Sequence, residues 1–237
     1  MGHPALGVES GGMTVDSTRI LHYQLSFAGQ PAGSQKLRLE PGRRGLRLLL
    51  EAQVDLPAPR TRQRWESQLG EEGSSRRYLE RIEGREARSL EMEFLPRDGV
   101  VNVSQGRESF AVPYLTPLYD PLALLWAVCG LEMAVGEARR FEMVGGRAYV
   151  ERIPDQELLL QGEVQPVRVF RLRPGMSLVY VDADGVPVRL SQKVGERVFE
   201  ASLVRLEREE VREARSQAAI DPEGRPASSG RRRRRRR

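Results

Sequence analysis

The sequence predicts a mainly β protein: a curved antiparallel sheet or open barrel of many short strands, with one apolar helix at about residues 120–131 packed against it. Three observations carry this reading. Apolar residues recur two apart in segment after segment, the period of a strand with one buried and one wet face. Glycine-bearing turn pairs separate the segments at short, regular intervals. A single stretch, 117–137, has the composition of an apolar helix.

The elements follow in order. Residues 1–17 are rich in glycine and small side chains and read as a loose leader. In "ILHYQLSF", Leu21, Tyr23, Leu25 and Phe27 fall on one face of a strand, and "GQPAG" is expected to turn the chain. "SQKLRLE" alternates through Leu37 and Leu39. After "PGRRG", the segment "LRLLLEAQV" spaces Leu46, Leu48, Leu50, Ala52 and Val54 by two. "TRQRWESQL" puts Trp65 and Leu69 on one face, and "SLEMEFL" does the same for Leu90, Met92 and Phe94. Asp98-Gly99, Gly145-Gly146 and Asp184-Gly185 are each flanked by strand-like runs, the signature of a two-residue hairpin. The last strand, "RVFEASLVRLE", closes a single β-rich domain spanning 18–207, and the composition of 208–237 predicts a charged, disordered tail ending in seven arginines.

The apolar stretch admits three readings: membrane anchor, reactive-cysteine site or core helix. Ten apolar residues from Leu122 to Leu131 fall far short of the ~20 that span a bilayer. Asp120 followed by Pro121 is a strong helix start, because the carboxylate caps free N–H groups and proline loses nothing at the first helical position. Leu122, Leu125, Trp126 and Cys129 have the 0, 3, 4, 7 spacing of one helical face, which predicts a helix lying across the concave side of the sheet with that face inward.

Composition narrows the function. The hydrophobic fraction of 39% supports a sizeable core. The net charge of +5 becomes −2 without the seven terminal arginines, so the basic character belongs to the tail and not to the body. One cysteine rules out an internal disulfide framework and a cysteine-rich metal site. Its neighbours Val128 and Gly130 make Cys129 an inert core thiol and not a nucleophile. His3 lies in the leader and His22 in a strand, so no Cys-His pair forms, and no zinc site is expected. "DADG" has the acids of a calcium loop only in part and is explained by a turn. No phosphate loop, dinucleotide fingerprint or nucleophile elbow is present. The sequence therefore predicts no catalytic residues, no metal and no cofactor. It has no basic-then-apolar leader as written, which predicts a cytoplasmic protein, or a bacterial envelope protein if the true start lies upstream.

Two binding surfaces are expected. The aromatic side chains Tyr23, Phe27, Trp65, Tyr119 and Trp126 are candidates to line an apolar site for a small molecule, a lipid or a protein partner on the concave face. The run Arg231, Arg232, Arg233, Arg234, Arg235, Arg236 and Arg237 is a candidate for sequence-blind binding of nucleic acid or another polyanion.

Three motifs, in order, carry a family likeness. They are the strand Tyr23 to Phe27 with the turn Gly29, Ala32 and Gly33; the helix entry Tyr119, Asp120, Pro121 and Leu122; and "LVYVDADGVPVRL". Together they cover roughly residues 19–206 and resemble the bacterial domain-of-unknown-function family 3108. The resemblance implies a curved antiparallel sheet with a helix against it, similar to lipoprotein-carrier folds of the bacterial envelope, and implies no catalytic residues. Many such domains are exported.

Overall fold

The computed structural model describes residues 17–42, 45–84, 87–160, 162–194 and 196–209. Most of the expected leader, residues 1–16, and the expected tail from residue 210, including the arginine run, lie outside the described residues.

The described residues build fourteen strands and one helix: β1 (Thr18–Phe27), β2 (Gln30–Gly42), β3 (Gly45–Val54), β4 (Thr61–Leu69), β5 (Ser75–Glu83), β6 (Arg88–Leu95), β7 (Val100–Gln105), β8 (Glu108–Pro113), α1 (Pro121–Cys129), β9 (Ala138–Met143), β10 (Gly146–Leu160), β11 (Glu163–Arg173), β12 (Ser177–Val181), β13 (Pro187–Val194) and β14 (Arg197–Glu209). All strands join one antiparallel sheet in the order β8-β7-β6-β5-β4-β3-β2-β1-β14-β13-β12-β11-β10-β9. The first and last strands therefore pair at its centre, with Thr18 opposite Glu209 and Phe27 opposite Phe199. The sheet does not close on itself. Its two ends, β8 and β9, are joined through α1, and the backbone N–H of Tyr119 donates to Glu142 O (2.9 Å) at the β9 end. The expected open barrel of short strands with one packed helix is the fold observed.

Alternation builds the inner face. Leu21, Tyr23, Leu25 and Phe27 on β1 are buried, as are Leu37, Leu39, Leu48, Leu50 and Ala52 on the next two strands. The opposite face is a lattice of cross-strand ion pairs, among them Lys36–Glu51 (3.3 Å), Arg64–Glu51 (3.3 Å) and Arg47–Glu66 (3.0 Å). Exposed pairs of this kind contribute only about 0–1 kcal/mol each. Their main effect is to give the polar face residues compatible neighbours across every strand.

The turns differ in detail from expectation. The first is only two residues, Ala28 and Gly29, both at positive φ (51° and 78°), the geometry that matches strand twist. Gln30 to Gly33 already belong to β2. Gly33 sits in that strand at φ 131°, where an added Cβ would lie 1.9 Å from the carbonyl oxygen of Gln53. The register shift between Leu25 and Ser26 is the bulge that accommodates it. Leu95 pairs with Val100, so the turn at Asp98-Gly99 has four residues. Met143 pairs with Gly146, so that turn is Val144-Gly145, one residue early. The loop at Asp184-Gly185 has five residues, ordered by the Asp182 carboxylate, which accepts from the N–H groups of Asp184 (2.9 Å) and Val186 (2.8 Å).

The helix also departs from the one-faced expectation. Leu122 and Ala123 pack into the main core, built from β1–β7 together with Val167, Val169, Tyr180, Val188 and Ala201 of β11–β14, whereas Leu124, Val128 and Cys129 join a second core with Phe141, Val150, Phe170, Val179 and Val181. Leu125 and Trp126 are half-buried. The helix is a wedge between two apolar clusters, so it is apolar on most sides and its burial extends beyond the single stripe expected.

Candidate functional site

The structure places the five aromatic residues named from the sequence in or against the main apolar core. Tyr23 and Phe27 are buried; Trp65, Tyr119 and Trp126 are half-buried and pack against the same core. The structure thus gathers all five aromatic residues around one cluster, each also in a packing role. The Tyr23 hydroxyl donates to Pro187 O (2.7 Å). Burial, with Cys129 and Asp182 nearby, pushes its pKa well above the ordinary phenol range. Phe27 meets Phe199 at 6.5 Å and carries the Arg197 guanidinium over its ring. Tyr119 stands edge-on to Phe141 at 5.1 Å, and its pKa is raised by burial.

Of the five, Trp65 has a fully buried polar atom without a partner among the described residues. It lies opposite Leu50 on β3 and Glu80 on β5, and its indole Nε1 is buried with no acceptor among the described residues. Gln35, on the same inner face of β2, has a buried Nε2 in the same condition. A buried donor left without an acceptor costs about 1–3 kcal/mol. Glu80, by contrast, is fully engaged: it accepts from Tyr78 Oη (3.0 Å) and from Arg88 Nε (2.9 Å).

The entry to α1 is a polar knot inside this apolar region. Asp120 is completely buried. Its Oδ1 accepts from the N–H groups of Leu122 (2.9 Å) and Ala123 (3.0 Å), and its Oδ2 accepts from the hydroxyls of Ser67 (2.6 Å) and Ser75 (2.7 Å). The Asp120 N–H donates in turn to Ser75 Oγ (2.7 Å). One carboxylate therefore caps the helix and fastens it to β4 and β5. Burial raises its pKa, against the four donors that lower it. At the other end, Arg168 Nη1 donates to Leu131 O (3.0 Å), so β11 supplies the cation that the helix's own last turn lacks.

Cys129 is fully buried and its thiol is pushed up to about 12 by desolvation, against the lowering effect of Arg168. That is the environment of an inert thiol. Among the described residues no cluster of three or more His, Cys, Asp or Glu stands ready for a metal. A polar groove of about 890 Å³ lies on the outer face of β1–β5, where Lys36, Glu51, Arg62, Arg64 and Arg81 line it. It was not expected from the sequence, since it results from sheet curvature and not from any local motif. Ser67, Ser75, Gln35 and Glu80 were also missed. Their signal was a polar residue at an inward position of an alternating strand.

No family model matches the chain, and no curated protein matches it. Among solved structures, it is similar to the crystal structure of a β-barrel-like protein of domain of unknown function DUF1849 from Brucella abortus. The two are 12% identical with a TM-score of 0.53, and the match covers 83% of this chain and 99% of that one. The likeness is one of fold: a β-barrel-like domain.

Proposed function

We propose that the protein is a non-enzymatic binding domain that takes an apolar ligand bearing a hydrogen-bond acceptor on the inner face of its sheet beside α1. Trp65 carries this reading. Its ring packs on the apolar core while its buried N–H has no acceptor among the described residues. A ligand with an apolar body and a carbonyl or carboxylate head satisfies both halves of that side chain. Gln35 offers a second such donor on the same face. The ordered motifs shared with family 3108 support a place near that family, and hence near carrier-like domains.

The test uses Trp126→Phe, which leaves Trp65 as the sole indole. Titration with oleate is expected to shift and saturate its emission, and native mass spectrometry of gently purified protein is expected to show bound lipid mass. Flat titrations together with a bare protein mass overturn the proposal.

A second reading rests on one sequence feature, the seven consecutive arginines Arg231 to Arg237. It predicts duplex DNA binding whose logarithm falls with log salt by about 0.9 per phosphate neutralised. Deletion of residues 231–237 is expected to abolish the binding; equal affinity in the deletion variant removes this reading.

A further inference from the structure

At the β8 end of the sheet, the outer edge of β8 has no pairing strand among the described residues. Across the inner face, one row of register partners runs Leu48, Ser67, Tyr78, Met92, Val103, Phe110. The first five are buried, whereas Phe110 is 50% exposed. The exposure begins where the strands end. Val112, the inner-face neighbour of Phe110, is likewise only half-buried.

The ladder fixes which backbone groups of β8 face outward. Gln105 and Glu108 flank the two-residue turn Gly106-Arg107, so this pair exchanges hydrogen bonds, and alternate residues after it do the same. Glu108, Phe110 and Val112 therefore bond to β7, in step with Tyr114 N–H donating to Gly99 O (2.8 Å). Ser109 and Ala111 turn their N–H and C=O groups away from β7, and Pro113 adds one outward carbonyl.

We propose that β8 pairs with β8 of a second copy of this chain, antiparallel about a two-fold axis through Ala111. The strand's sequence suits this partner because it is self-complementary about that residue. Ala111 faces Ala111 of the partner subunit and the two exchange hydrogen bonds. Phe110 faces the partner's Val112, and Val112 the partner's Phe110, which covers the open row on both copies with an aromatic–branched pair. Ser109 N–H reaches the partner's Pro113 carbonyl, where the missing proline N–H costs nothing on the facing side's donor. Glu108 meets the partner's Tyr114, so no like charges oppose each other. A six-residue edge is small for a permanent interface, so the dimer forms reversibly with concentration.

Sedimentation of the full chain over a concentration series, with amide hydrogen exchange at its two ends, tests the pairing. Wild type is expected to shift from monomer to dimer, with the Ser109 and Ala111 amides slowing as it does so. Ala111→Pro removes an N–H that β7 does not use, and edge strands tolerate proline. It is expected to raise the dissociation constant about tenfold or more, the equivalent of two lost interchain hydrogen bonds. If Ala111→Pro fails to fold, the wild-type exchange data decide alone. A chain that stays monomeric throughout, a dimer whose Ser109 and Ala111 amides exchange freely, or amides already protected in the dilute monomer each overturn the proposal.

Discussion

Replacing Asp120 tests the idea that one buried carboxylate holds the helix to the sheet. Asp120→Ala removes the acceptor of four hydrogen bonds. Loss of the helix cap costs about 1 kcal/mol. Leaving the Ser67 and Ser75 hydroxyls buried without that acceptor adds about 1–3 kcal/mol, since the two can partly satisfy each other. A total of about 2–4 kcal/mol lowers the melting temperature of a domain this size by roughly 10 °C. Asp120→Asn keeps the cap through its amide oxygen and is expected to cost less, about 1–2 kcal/mol. The two variants also separate in pH. Because burial raises the Asp120 pKa, the folded state holds the proton more tightly than the unfolded one. The contribution of this group is therefore fully present below about pH 4, the unfolded carboxylate value, and is lost as pH rises through the folded pKa. The stability advantage of wild type over Asp120→Asn should shrink across that interval and then level off. Urea unfolding followed by far-ultraviolet circular dichroism and by Trp126 emission, on the helix itself, measures all three proteins. A loss below about 1 kcal/mol in Asp120→Ala, or a wild-type-to-Asn difference that does not change with pH, refutes the reasoning.

Two further outcomes follow from the packing. Gly33→Ala places a Cβ against Gln53 O in a left-handed strand position and is expected to destabilise the fold by more than about 3 kcal/mol, measurable as a fall in denaturation midpoint. Cys129 and the tyrosines Tyr23, Tyr78 and Tyr119 all have raised pKa values through burial, so their contribution holds below the unfolded values and is lost as pH climbs. Stability is expected to decline from about pH 8.5 upward, by about 1.4 kcal/mol per pH unit for Cys129 alone, and Cys129→Ala should remove that first part of the decline. Equal alkaline slopes in the two proteins would sink the assignment.

The fold was legible wherever one strand face is apolar and the other polar. Leu21 to Phe27 and Leu46 to Val54 announce their strands because each inward residue packs and each outward one is solvated. Three strands escaped, each for its own reason. In β5 the inward position 80 is a glutamate, satisfied by Arg88 and Tyr78 from the fold itself. In β11, Val169 and Phe170 are both fully buried, so both faces are covered and alternation vanishes. In β8 nearly every residue is exposed, since the strand is a sheet edge. The helix entry at Asp120-Pro121 was plain because capping is local chemistry. Its attachment to Ser67 and Ser75 was not, because those hydroxyls lie 53 and 45 residues away. The aromatic set was visible as residue types, but the unpaired indole of Trp65 is a property of the assembled interior alone.

The meeting of β1 and β14 at the centre of the sheet has a mechanical consequence. Residues 18 and 209 lie side by side at one end of an antiparallel pair. A load applied between them acts across the ladder, so it opens the hydrogen bonds one after another and never shears them together. Under tension the seam parts first, dividing the strands into the set β1–β8 and the set β9–β14. The main core, which takes side chains from both sets, and α1, wedged into both apolar clusters, then hold the halves together, and the Asp120 anchor becomes a joint of the second stage of rupture.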